Sequence, residues 1–180
     1  MTHNQTGSSL IEVAVALALS AFLTGSILTL FLGSLSAWRD ASAARQAQAA
    51  ALLASETIAS DIRRSSHYGI QNAEVTEHLD HLLPEDVQIA FTVAVTAADR
   101  RSSGVDNFIS YLLDRKTMRL ERIVLTKEGG SITLAAKRTV AHNIRNVSVT
   151  IKGVEFNVSV EGRVGSRFAS VRIAARPQNP

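Results

Sequence analysis

Glu77-His78-Leu79-Asp80-His81 is the stretch of this sequence whose residue types come nearest to a metal site. Two histidines three apart, with carboxylates beside them, could bind zinc on a helical turn. No further ligand stands at a supporting spacing, so a solvated polar loop is the better reading and no metal is expected. The other chemistry-bearing types are no better arranged. His67 and His142 are matched by no Gly-x-Ser-x-Gly elbow, and nothing in the pattern pairs either with a particular serine. Cysteine is absent, which removes thiolate nucleophiles, thiolate metal sites and disulfides. Gly129-Gly130 alone makes a turn and not a phosphate cradle. Neither catalysis nor a cofactor is expected.

The basic residues point to no particular partner. Net charge is +3 in 180 residues, and the cations are scattered instead of gathered into a block that would grip nucleic acid. Arg63-Arg64 suits the C-terminal end of a helix, where the dipole favours cations, and Arg100-Arg101 reads as a loop tip. Either pair could touch DNA, but the scatter argues against nucleic acid as a partner. Asn146 and Asn157 match glycosylation sequons by type, yet both fall in expected strands, where a glycan is awkward.

One acid remains, and it stands in an odd place. All 19 Lys and Arg residues lie at or after Arg39, and Glu12 is the single carboxylate among the first 38 residues. From Val13 to Ala37 no charged residue occurs, a run that as a helix would measure roughly 37 Å and cross a bilayer core. Gly25, Ser26, Gly33 and Ser34 would let another helix approach closely. A cleaved secretory signal would want a basic start and a shorter apolar run, with a cut after Ala37 conceivable. A plain anchor explains the length and leaves Glu12 as an interfacial acid, although carboxylates in spanning segments usually mark a partner or a function. A buried core helix would need covering helices that the flanks do not supply.

Gly7, then Ser8-Ser9-Leu10-Ile11-Glu12-Val13, then the long apolar run, resembles the N-terminal processing signal of type IV pilins and type II secretion pseudopilins. The resemblance implies that a prepilin peptidase on the cytoplasmic side cuts between Gly7 and Ser8 and that Ser8 is then N-methylated. It also implies that Glu12 is the family's assembly acid. A new amine at Ser8 would lie one helical turn from Glu12, so the two could pair within a chain or between neighbours. In a low-dielectric bundle that pairing offsets much of the desolvation cost of each charge. Two features depart from the family pattern: Ser8 stands where an aromatic is usual, and the leader carries no Lys or Arg. By charge alone, Arg39 and Arg45 favour the cytoplasmic side, whereas the resemblance implies that the short leader faces inward.

Beyond Trp38, a plausible interface anchor, helix formers continue without Gly or Pro to Ser65. Ala44, Gln48, Ala51, Leu52, Ser55, Ile58, Ala59 and Ile62 recur at spacings of three and four and make an amphipathic stripe. A single helix from about Ser8 to Ser65 is expected, roughly 87 Å long. His67 to Pro84 reads as a connecting loop with room for a short helical turn. Period-two alternation then marks strands over Val87–Val93, Asn107–Leu113 and Met118–Thr126, the last two around a turn at Asp114–Thr117. Further strands are expected over Val147–Ile151 and Val154–Val160, joined across Lys152-Gly153. The last, from about Phe168 to Ala174, follows a turn containing Gly162 and Gly165. Alternation implies one wet face and one buried face, which the helix stripe would cover.

The expected fold is α+β and pilin-like: a long N-terminal helix, membrane-spanning in its first half, packed by its second half on a small antiparallel β-sheet head. The expected organisation is a leader at 1–7, a membrane or filament-core helix at 8–37, an amphipathic continuation at 38–66 and a β-rich head at 67–180. ASDIRRSSHYGI, FISYLLDRKTMRLERIVL and LAAKRTVAHNIRNVSVTI further resemble J-type minor pseudopilins and related minor pilins of pili and competence systems. That likeness implies a minor subunit of a type IV pilus or type II secretion pseudopilus, in a tip or initiation complex. Its partners would be other major and minor pilins, the prepilin peptidase/methyltransferase and membrane lipid. It would sit as a single pass in the inner membrane with an extracytoplasmic head before entering the filament. The alternative is a single-pass anchored binding or sensor domain that does not assemble.

Overall fold

The computed structural model describes residues 10–65, 79, 83–84, 86–96, 106–128 and 131–177. Among them are the helix α1 (Leu10–Arg64) and seven strands: β1 (Val87–Thr96), β2 (Asp106–Asp114), β3 (Arg119–Glu128), β4 (Ser131–Ala141), β5 (Ile144–Lys152), β6 (Glu155–Val164) and β7 (Arg167–Ala175). The chain divides into two compact units, one up to Ser42 and one from Ala43 onward, and α1 contributes to both.

In the first unit α1 is apolar on every side and exposed on every side. Leu10, Ile11, Phe22, Leu30 and Phe31 all stand open, and no residue of its most apolar window is buried. Several of its hydroxyls bond back to the helix. Thr24, Ser26 and Thr29 donate to the carbonyls of Ser20, Phe22 and Gly25 at 2.8–2.9 Å, which lets polar side chains sit in hydrocarbon at little cost. Length and composition are compatible with a single-pass membrane anchor.

In the second unit α1 buries Ala47, Ala51, Ala54, Ser55, Ile58, Ala59, Asp61 and Ile62. Compared with the expected stripe, Gln48 and Leu52 are exposed and Ala44 is half-buried, while Ala47, Ala54 and Asp61 take their places. The reason is close approach. A Cβ placed on Gly162 of β6 would collide with the Ala47 backbone carbonyl, so the helix presents its smallest residues where it meets that strand. The helix ends where Ser65 turns back, its backbone N–H and its hydroxyl both donating to the Ile62 carbonyl. Arg63 and Arg64 occupy the last turn, as the dipole favours.

The strands form two antiparallel sheets, β1-β2-β3-β4 and β5-β6-β7. Alternation is clearest on β6, where Phe156, Val158, Val160 and Gly162 point inward. On β2 every side chain from Phe108 to Leu113 is buried, because both faces of the sheet are covered at this strand. Ile109, Tyr111 and Leu113 join the main core with Ile58, Ile62 and Val158. Phe108 and Leu112 join a second core with Leu79, Ile123 and Leu125. Leu79 is helical and its carbonyl accepts from the Leu83 N–H at 3.0 Å, and both leucines pack into the second core.

Several details differ from the sequence expectations. β4 carries no alternation and is exposed along most of its length, so no strand was expected there. Gly162 lies inside β6, and the turn before β7 is made by Gly165 with positive φ of 59°. Strand β5 begins at Ile144, ahead of the expected start at Val147. The β2–β3 turn ends at Met118, whose φ is 51°. Asp114 holds that turn by accepting from the backbone N–H groups of Lys116 and Thr117 and from the Thr117 hydroxyl at 2.6–3.0 Å. Those donors hold its carboxyl below the usual carboxylate range, the Thr117 hydroxyl first among them.

Candidate functional site

The chemistry of the second unit gathers around Asp61. Tyr111 on β2 and Arg122 on β3 are direct cross-strand partners and so share a face of the sheet. Asp61 projects onto that face from the last turns of α1. Its Oδ2 accepts from the Tyr111 hydroxyl and from Arg122 Nε, the latter at 2.6 Å. Its Oδ1 accepts from Arg122 Nη2 at 3.2 Å. Asp61 is 4% exposed and Tyr111 fully buried, so the carboxylate is out of water and needs all three donors. Burial, reinforced by the Asp61 carboxylate, pushes the Tyr111 hydroxyl far above the usual phenol range, and nearby Arg122 works the other way. The hydrogen bond to Asp61 raises the Arg122 guanidinium further, against its own partial burial. The phenol therefore stays a donor and the guanidinium stays charged at any physiological pH.

An open groove of about 500 Å³ lies beside this triad. Glu56, Ser60, Asp61 and Arg64 line it from α1, with Arg122 and Arg138 from the sheet. Arg122 and Arg138 face each other directly across β3 and β4. Such a surface can attract an anion; it holds no arranged nucleophile and general base.

Most of the residues singled out in the sequence lie elsewhere or outside the described residues. Gly7 and Ser8, the expected leader junction and methylation site, fall outside, as do His67, Arg100, Arg101, Gly129 and Gly130. Of the sequence Glu77 to His81 only Leu79 is described, and it is core. No group of three His, Cys, Asp or Glu able to hold a metal occurs among the described residues. Glu12 is in the first turn of α1 and exposed, a position where the helix dipole favours an acid. His142 is exposed between β4 and β5, and Asn146 and Asn157 lie within β5 and β6.

The triad was not anticipated, although a signal existed. Asp61 follows Ile58 by three and Ala54 by seven, which puts a carboxylate on the apolar face of the helix. An acid there demands a cation across the interface, and FISYLLDRKTMRLERIVL offers Tyr111 on one strand and Arg122 on the next as donors.

The elements define an α+β protein in which one long N-terminal helix, apolar in its first part, is packed in its second part against antiparallel sheets of four and three strands. Comparison with protein-family models, curated proteins and solved structures finds no match for this chain.

Proposed function

We propose that this chain is a minor pilin or pseudopilin, a structural subunit that prepilin peptidase processes and that assembles through its N-terminal helix into a pilus-like or pseudopilus filament. The observation that carries the reading is one continuous helix of two characters. Behind the sequence Gly7-Ser8-Ser9-Leu10-Ile11-Glu12, α1 is exposed and apolar all round, then from Ala47 buries a stripe of small residues in a sheet core. A simple tether needs only the first character. A helix that serves both as a lateral packing surface and as the spine of its own head suits a subunit that stacks by its helix and displays its head.

In this reading Ser8 is the mature N-terminus, its amine neutralises Glu12 or the Glu12 of a neighbour, and the protein performs no catalysis. Other pilins, the peptidase/methyltransferase and lipid are its partners. The test is the mass and N-terminal sequence of the protein extracted from membranes of its native host. A mature chain starting at Ser8 with an added methyl group supports the proposal, and an intact Met1 or a cut after Ala37 overturns it.

A further inference from the structure

We propose that the groove between α1 and the open edge of β4 binds an extended, carboxylate-bearing segment of a partner chain, with Arg138 and Arg64 holding the carboxylates. The proposal concerns the unit from Ala43 onward and does not rest on the filament reading.

The starting point is an unbalanced pair of charges. Arg122 and Arg138 stand directly opposite on neighbouring strands, a like-charge arrangement that costs stability when nothing offsets it. Asp61 neutralises Arg122. Among the described residues no ion pair involves Arg138 or Arg64, whereas Lys137 next door reaches Glu121 at 2.8 Å. The groove thus gathers three guanidiniums against Asp61 and Glu56, and Asp61 is already spent on Arg122 and Tyr111. The fold thus compensates Arg122 and, among the described residues, leaves Arg138 facing it without an ion partner, the kind of local imbalance that marks a binding surface.

The second observation is the strand that bears Arg138. β4 pairs with β3 and lies at the end of its sheet. It spans 11 residues, is exposed from Thr133 through Thr139, and carries only Ala135 and Ala136 at its middle. An added strand would find main-chain donors and acceptors along that edge on either side of the irregularity at Ala135. Its alternate side chains would point to the helix side, where Arg138 and Arg64 wait, and the exposed Leu53 side chain on the groove wall offers an apolar contact. A small anion alone would stay largely hydrated in so open a groove and gain little. Backbone pairing supplies the anchoring that the charges by themselves do not.

Cationic side chains on edge strands also discourage unwanted pairing, and the experiment separates that role from binding. The full chain in detergent micelles is titrated into a fluorescent peptide of about ten residues, long enough to follow β4, alternating glutamate and threonine. Controls are the same peptide with lysine for glutamate, one with proline at alternate positions, and inorganic phosphate as competitor. Fluorescence anisotropy should show binding of the acidic peptide alone, weakened at least about tenfold by Arg138→Glu and less by Arg138→Gln, as lost charge-assisted contacts imply. Amide exchange should slow along β4 when the acidic peptide is present. Equal binding of the lysine peptide, unchanged affinity in both Arg138 variants, equal binding of the proline peptide, or full displacement by phosphate would each overturn the proposal. So would Arg138→Gln causing self-association with no change in peptide affinity, the behaviour of a pure edge guard. Arg138 is exposed, so both variants should keep the near-ultraviolet spectrum of the parent.

Discussion

Arg122 reaches across the helix–sheet interface to Asp61, 61 positions earlier in the chain, with Nε 2.6 Å from Oδ2 and Nη2 3.2 Å from Oδ1. The two-point contact fixes both the rotation of α1 and its position along the sheet, since a shift of one residue would leave a buried carboxylate without donors. Breaking such a pair from one side costs far more than replacing both partners by apolar groups. Asp61→Ala should therefore lower unfolding stability by about 3–5 kcal/mol, and the double change Asp61→Leu with Arg122→Met should cost clearly less. Denaturant midpoints of the full chain in detergent, followed by near-ultraviolet dichroism, provide the check.

Tyr111 supplies the third donor, and its hydroxyl titrates late because it is buried against that carboxylate. Its pKa is raised on folding, so the contribution is fully present below the unfolded phenol value of about 10 and is lost as pH climbs from there toward the higher folded value. Tyr111→Phe should cost about 1–3 kcal/mol at neutral pH, since it strands part of a buried acceptor. The stability gap between parent and variant should stay level up to about pH 10 and narrow above it. In the folded protein, the difference in phenolate absorbance between parent and variant should remain near zero across the range where an ordinary tyrosine ionises.

Gly162 makes a prediction of a different kind. The obstacle to a side chain there is the Ala47 backbone, which cannot rotate away as a flexible side chain would. Gly162→Ala should force helix and sheet apart and lower stability by about 3 kcal/mol or more, at the upper end of overpacking costs. Gly165→Ala is the control. Its φ is 59° but a methyl group would meet open space, so its cost should be about 1 kcal/mol, from backbone strain alone. A smaller loss at Gly162 than at Gly165 in thermal unfolding would contradict the close approach.

The long helix and six of the seven strands were legible because one physical demand wrote each of them. An uncharged apolar run needs a helix to satisfy its backbone, and a half-buried strand such as β6 must alternate. β4 escaped because an edge strand exposed over most of both faces has no burial to impose a period. The helix stripe was found but rotated, because Leu52 outranks Ala47 in any count of apolar weight while Gly162 accepts only the smaller side chain. Asp61 was hidden for a related reason: a carboxylate on a helix is scored as solvent-facing until its partners, 50 and 61 residues later, are in view. The leader junction is legible only in sequence, as Gly7 and Ser8 lie outside the described residues.

Glu12 carries the remaining prediction. It sits in the first turn of α1 between Ile11 and Val13, both exposed apolar side chains. If the proposed processing frees an amine at Ser8, the carboxylate serves a charge that exists only in the mature chain. Glu12→Gln keeps the size of the side chain, lowers the cost of inserting it and removes the counter-charge. Membrane insertion, measured by resistance to alkaline extraction, should therefore be unchanged or slightly better, and cleavage at Gly7 should still occur. Assembly should fall, because a subunit amine left without its acid must be desolvated alone as it enters a helical bundle. Glu12→Asp, which retains the charge on a shorter stem, should recover part of the loss. Filament yield by shearing and the fraction of chain cross-linked to neighbouring subunits would report both changes. Equal assembly by the glutamine variant and the parent would leave Glu12 as an acid that merely faces the head groups.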